Sequence, residues 1–469
     1  MTRALVAIAA LAMVLAAAGT ALGHAELVQS SPAADSRLSA SPAEVTLTFS
    51  EPVELVGEDD VQVFNAKGDD VAAEPASNSG QARVVVVPLT PNLPDGTYTV
   101  RYSIVSSDSH VVPGVFVFGV GAGELGPPYL GGQKAGPSET GPWGVSSRFL
   151  EVLGLGGLIG LLAFRWLVWA PGVRDAGVAG RDRDAVLGWG RDVFWVGFGA
   201  LAVGAMLAEG YLLVVQSASV LGTSVLDALG NATGISQVLG DTRFGSLVQL
   251  RGALLFALFA IGAIMFIREY GNAGSPKPPS ATGSRVGAVL MALLLLAVLG
   301  GIAAQGHASV TSLSTLQVGA QLVHIVAAAV WIAGLALVAI SYRRLPAVAP
   351  AAGPSLSTRL LARFSRVALV AVALVIITGV IRAIGELDDP AQLWDTAYGR
   401  SILYKVALLL PIGALALYNR RVLEALRRVP RPNIPTMRLV RRMAASELAL
   451  ALAVVVIASL LVAQVPGGT

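Results

Sequence analysis

The sequence predicts an all-β sandwich followed by an α-helical bundle of about eight transmembrane helices. Three observations carry that expectation. Short alternating runs, separated by turn residues, fill positions 24–120. Apolar runs long enough to cross a bilayer, which takes about 20 residues, recur from position 148 onward. Charged residues are 13% and hydrophobic residues 54% of the 469-residue chain, whereas soluble domains carry about 25% charge.

The chain opens with a leader. Arg3 supplies a positive start, Ala4 to Ala18 an apolar stretch, and Ala21-Leu22-Gly23 a small-residue cleavage site. Residues 1–23 are therefore expected to be a signal peptide, and cleavage makes His24 the first residue of the mature chain. A terminal histidine offers an amine and a ring nitrogen from one residue. Together they chelate a divalent metal, and Cu(II) stands highest among first-row ions for such donors.

Residues 24–120 read as an immunoglobulin-like, Greek-key β-sandwich. Glu44 to Phe49 alternates strictly, and Val61–Phe64, Arg83–Leu89, Thr97–Val105 and Val115–Val120 are further strands. Pro32, Pro42, Gly68, Pro91 and the Pro94-Asp95-Gly96 turn separate them. Residues 121–147, rich in Gly and Pro, read as a flexible linker with a root-mean-square span of about 26–31 Å.

The membrane domain is expected over 148–469. Eight apolar runs centre near 149–170, 190–215, 245–267, 286–305, 316–340, 365–384, 401–418 and 443–464. Loops 171–188, 268–285, 342–366 and 419–442 hold 19 Lys or Arg, whereas 216–243, 306–314 and 385–399 hold one, Arg243. By the positive-inside rule the first set is cytoplasmic, and the sandwich lies on the extracytoplasmic side of the plasma membrane.

Composition narrows the function classes. Basic residues sit in short loops between apolar runs, which is a topology signal and gives no nucleic-acid footprint. The chain has no cysteine, so a metal must be held by nitrogen, oxygen or thioether donors. It has no phosphate-binding loop of the GxxxxGK[ST] type, which argues against primary pumping.

Polar residues within the apolar runs gather toward their outer ends: Glu209, Gln249, Arg251, Gln305, Gln321, His324, Arg382 and Lys405. His307 falls at the outer end of the fourth run, and His324 lies about 13 Å into the fifth. Such groups are costly in lipid and face a bundle interior. One reading makes the charged residues mutually neutralising. Another makes His307, His324, Glu209 and Met206 a copper pathway. For His324, a helix-to-helix hydrogen bond to Gln249 or Glu209 is the structural alternative.

In the exported part, Asp108 and His110 are two apart, so in a strand both would point to one face. Taken alone, that triplet reads as a surface loop. The combination of His24-Ala-Glu-Leu, Ser31-Pro-Ala-Ala-Asp35, Phe49-Ser-Glu-Pro-Val53 and Ser106-Ser-Asp-Ser-His110 resembles the CopC family of copper-binding β-sandwiches. Gly306-His-Ala308, His324 to Leu335 with Trp331, Phe364-Ser-Arg366, Tyr398-Gly-Arg400 and Asn419-Arg-Arg421 resemble CopD. The resemblance implies a natural fusion. It also implies a Cu(II) site formed by His24, Glu51, Asp108 and His110, with Asp108 ligating or orienting. The exported part has no methionine, so no Cu(I) site of the methionine-rich kind is expected there.

The expected function is capture of Cu(II) by the exported domain and its passage to the membrane domain for import, with a role in copper homeostasis or resistance and no enzymatic activity. Copper ions, the bilayer and other copper-handling proteins are the expected partners. Sequestration or delivery to a membrane cuproenzyme is the alternative within the copper theme. A haem-binding redox protein using His307 and His324 is a third reading. An oxidase with a terminal-histidine copper site lacks an aromatic substrate platform.

Overall fold

A computed structural model of the chain describes residues 25–106, 110–122, 124–131, 136–137, 141–271, 281–305, 314–387, 389–426, 442, 446 and 448–459. His24, Asp108 and His307 lie outside the described residues, as do residues 1–23, the expected signal peptide.

The N-terminal part is a two-sheet sandwich. One sheet has the order β1 (Leu27–Ser31), β3 (Glu44–Phe49), β7 (Val84–Pro88), β6 (Ser77–Asn78). The other runs β2 (Arg37–Leu38), β9 (Val111–Val120), β8 (Gly96–Ser106), β4 (Val53–Glu54), with β5 (Val61–Asn65) also paired to β8. Alternation decides which side chains enter the core. Val45, Leu47 and Phe49 of β3 face Val63, Val100, Ile104 and Phe118 across the sheets, all nearly inaccessible to solvent. Each such side chain contributes about 1.5–3 kcal/mol of burial.

The stretch expected to be a flexible linker begins as part of the sandwich. The N–H groups of Gly126 and Tyr129 donate to the hydroxyls of Thr97 and Thr99, both at 2.8 Å. The Tyr129 ring packs on Phe64 with centroids 5.4 Å apart, and it occupies the space where Gly68 lacks a side chain. Gly68 has φ +89°, a backbone conformation glycine adopts without strain. Composition suggested a tether, but one aromatic ring and two threonines on β8 hold these residues down.

The first helix, α1 (Pro142–Ala176), starts six residues before the expected boundary at 148. Pro142 opens it, at a position where the missing N–H costs nothing. It includes a π-helical stretch, Phe164–Trp169. The remaining helices are α2 (Gly180–Val220), α3 (Val225–Gly230), α4 (Ala232–Asp241), α5 (Arg243–Gly271), α6 (Ala281–Gln305), α7 (Ser314–Val348), α8 (Gly353–Glu386), α9 (Gln392–Asp395), α10 (Ala397–Leu426) and α11 (Leu448–Ser459).

Among the described residues seven helices are long and apolar enough to span a membrane: α1, α2, α5, α6, α7, α8 and α10. The eighth expected span is represented by α11, a shorter apolar helix, with residues 460–469 outside the described set. One core joins α1, α2, α5, α6 and α7 around Leu158, Leu258 and Leu299. A second joins α1, α7, α8 and α10 around Trp331, Leu360 and Phe364. Helix α1 serves both cores through a line of glycines. A side chain at Gly154 would meet the Ala205 backbone of α2, and one at Gly160 would meet the Ala329 backbone of α7. Small residues allow this close approach in membrane bundles.

Candidate functional site

The sandwich is seated on the bundle. Val105 of β8, with Val56 and Val111, packs on Leu212 and Val220 of α2, Val238 of α4, and Phe244 and Val248 of α5. The segment 216–243, expected to be an extracytoplasmic loop, supplies α3, α4 and much of this seat. At its edge the Glu54 carboxylate accepts the backbone N–H of Arg243 at 3.0 and 3.1 Å. That N–H belongs to the first turn of α5, where the helix dipole favours an anion. Burial pushes the Glu54 carboxyl above its ordinary range, and the Arg243 N–H and charge oppose that shift. The loop behind it is shaped by Asp60, which accepts the N–H groups of Val56 and Gly57. Burial also raises the Asp60 carboxyl.

Of the expected metal ligands, Glu51 and His110 are described, and both lie at this end of the sandwich. β4 pairs with β8 in the register Val53↔Ser106 and Glu54↔Val105, which sets Glu51, two residues before β4, beside the β8–β9 hairpin. His110 closes that hairpin: the Ser106 N–H and hydroxyl both donate to its carbonyl oxygen, at 2.9 and 3.1 Å. The start of the described chain reaches the same place. The Glu26 N–H donates to the Ser50 hydroxyl at 2.9 Å, and the Ser50 N–H donates back to Glu26 at 2.8 Å. Ala25, which follows His24, is buried in the sandwich core. Glu51 is 1% exposed, which places a carboxylate inside the protein at that corner. Ser106 and His110, the described residues on either side of Asp108 in the sequence, lie at the same corner. Glu51, His110 and the described neighbours of His24 and Asp108 thus lie close together.

Inside the bundle the structure revises the expected partners. His324 of α7 bonds Thr378 of α8 through Nδ1 at 3.0 Å, and neither Gln249 nor Glu209 is its partner in that bond. The Thr378 hydroxyl donates to the Leu374 carbonyl oxygen at 2.5 Å. Its single hydrogen is thereby committed, so it accepts from Nδ1–H, and Nε2 carries the lone pair. Gln249 instead donates to the Leu239 carbonyl oxygen at 2.7 Å. Gln317 lies on the same face of α7 as His324 and donates to the Ile381 carbonyl oxygen at 3.1 Å. The positive charges of Lys405 and Arg382 act on the His324 ring.

Glu209 is held by Arg251, Nη2 to Oε2, at 2.9 Å. This is the mutual neutralisation that the sequence offered as one reading. Glu151 joins the same guanidinium at 3.6 Å, and sequence reasoning missed it. The signal was present as the only acid in the apolar run 149–170. Met206 is partly buried against the first core, one turn before Glu209.

Comparisons with known proteins agree with this architecture. Residues 27–121 match the CopC domain model. Residues 140–312 match the N-terminal domain of copper resistance protein D-like proteins, and 358–461 match copper resistance protein D. The chain is a CopC–CopD fusion. Copper transport protein CutJ of Bacillus subtilis (strain 168) is 28% identical over 408 residues, 84% of this chain and 68% of that protein. Protein YobA of Escherichia coli (strain K12) is 37% identical over 98 residues, 21% of this chain and 78% of the relative. Copper resistance protein C of Escherichia coli is 36% identical over 116 residues, 23% of this chain and 90% of that protein. CopC from Methylosinus trichosporium OB3b, a solved structure, shares 28% identity and covers 23% of this chain and 100% of its own, with a TM-score of 0.19. The CopC–CopD fusion is a multi-pass membrane protein of a copper resistance and transport family.

Proposed function

We propose that the sandwich captures Cu(II) on the extracytoplasmic side and passes it to the membrane domain for import. His24, Glu51, Asp108 and His110 are the proposed ligands, the first through both its amine and its ring. One observation carries this reading. The corner where the start of the described chain, Glu51 and the hairpin ending at His110 converge adjoins the surface that seats on α2, α4 and α5. An ion released there enters the bundle without crossing open solvent.

His307, His324 and Met206 are the proposed contacts along the pathway; the Arg251 guanidinium that holds Glu209 opposes a metal cation there, so Glu209 is left out of it. The free lone pair on His324 Nε2 supports its place there. The positive charges of Lys405 and Arg382 oppose a resident cation, which suits brief contact in transit better than storage.

Cellular copper in a deletion strain, with and without the chain restored, tests direction. Lower copper on deletion is expected, and higher copper would identify efflux. Titration of the mature domain with both ions tests the site. One tight Cu(II) and weak Cu(I) are expected, and two tight sites or a preference for Cu(I) would refute the ligand set.

A further inference from the structure

Four charged side chains of α1, α2 and α5 meet inside the bundle. Arg251 is fully buried. Its Nη2 lies 2.9 Å from Glu209 Oε2, and its Nη1 lies 3.6 Å from Glu151 Oε1. Arg148, one turn before Glu151 and 19% exposed, stands 3.6 Å from the other Glu151 oxygen. Glu151 and Glu209 are 3% and 4% exposed.

The cluster is electrically balanced only when both arginines are counted, and Arg148 is the one within reach of water. Hydrogen bonding is less complete than charge. Oε1 of Glu209 and Oε1 of Glu151 are enclosed, and each lacks a hydrogen-bond donor among the described residues. Orphaned buried acceptors cost about 1–3 kcal/mol each, and more when charged. Among the described residues, the groups facing the cluster from α2, α6 and α7 are these. Helix α6 presents Gly301 to the Arg251 stem, and Tyr211 of α2 is bonded to Ser146 of α1 at 2.8 Å. His324 of α7 is turned to α8.

Two buried carboxylates with one orphaned oxygen each are suited to a cation. A metal ion placed between them would confront the guanidinium already there. A proton needs one oxygen and displaces nothing.

We propose that Glu151 and Glu209 together hold one exchangeable proton. The proton adds to an orphaned Oε1 oxygen and converts that carboxylate to a neutral acid, while the other carboxylate keeps the charge of Arg251. Binding leaves the atoms otherwise unchanged, and release returns the proton to water. The way in is a small cavity between α1 and α2, lined by Ser147, Arg148, Leu212 and Gln216, with Pro137 beside it. Ser147 and Arg148 lie one turn before Glu151, and Leu212 one turn after Glu209, on the side of the seated sandwich. This site is independent of how copper is passed, and it adds a second cation to the chemistry of the bundle.

The test is infrared difference spectroscopy of the full chain in lipid nanodiscs, without copper, titrated between about pH 5 and 9. A protonated-carboxyl carbonyl band that titrates in this range is expected. It should be lost in Glu209→Gln, lost or shifted in Glu151→Gln, and unchanged in the exposed control Glu58→Gln. Glu209→Asp, which keeps the acid and the counter-charge, should shift the band if Glu209→Gln fails to fold. No titrating band in the unaltered protein overturns the proposal. So does a band that survives unshifted in every Glu209 and Glu151 variant that folds.

Discussion

The Glu54 carboxylate caps the first turn of α5 through the Arg243 N–H, so a residue of the sandwich completes a helix of the membrane domain. Capping groups contribute about 0.5–2 kcal/mol. Glu54→Ala should therefore speed amide hydrogen exchange at Val56, Val105 and Val111 by up to about tenfold, since 1.4 kcal/mol is a factor of ten. Glu54→Gln retains an acceptor oxygen and should change exchange much less. Equal exchange in both variants would remove Glu54 from the seam.

Docking should also respond to pH, with a sign that burial decides. The Glu54 carboxyl is raised in the seated state, chiefly by desolvation. A raised acid binds its proton more tightly when docked than when free. The contribution is thus fully present below the ordinary carboxylate range and is lost as pH rises through the raised value. Hydrogen exchange at the seam, corrected for intrinsic rate, should slow in mild acid, and this dependence should disappear in Glu54→Gln.

The His324–Thr378 bond orients the imidazole as well as satisfying it. Thr378→Val removes the acceptor for Nδ1–H and should lower copper accumulation at normal protein level, while Thr378→Ser should restore it. His324→Gln keeps a hydrogen-bonding side chain but is a poor copper ligand. Full accumulation in His324→Gln would make the residue structural.

Arg251 is the largest fully buried side chain among the described residues of the bundle, with carboxylates from two helices around it. Arg251→Met strands those acids and should destabilise the membrane domain by about 3–5 kcal/mol. Adding Glu151→Gln and Glu209→Gln to the same variant should recover much of that loss. Thermal denaturation in detergent separates the two outcomes.

One alanine inserted before His24 should remove most of the Cu(II) affinity of the mature domain, because it separates the terminal amine from the ring. Affinity should also fall below about pH 6, where the imidazole and the α-amine hold their protons. Unchanged affinity in the extended chain would leave the ring sufficient alone.

Much of this was legible in the sequence, and the limits have physical causes. The alternation of Glu44–Phe49 reports directly which residues face the core, because side chains of a strand alternate between faces. The seven long helices were marked by apolar length. The start of α1 was not, because Gly141, Pro142 and Gly144 resemble linker composition while Pro142 opens a helix. The packing of Tyr129 on Phe64 is a tertiary event with no local signature. Glu151 and Glu209 are 58 positions apart, and nothing local to either reveals a shared arginine. The pairing of His324 with Thr378 depends likewise on how α7 and α8 cross.

The anchoring of residues 124–131 along β8 shortens the leash between the two domains. From Gly131 to Gly141 only ten residue steps remain, which span at most about 33–36 Å when fully extended. A covalent link of that length keeps the local concentration of the sandwich over its seat near the millimolar range. A modest seam therefore suffices, one that would be too weak to recruit a separate copper carrier from dilute solution. Fusion makes the proposed delivery a first-order event, whose rate does not depend on how many copies of the chain the membrane holds.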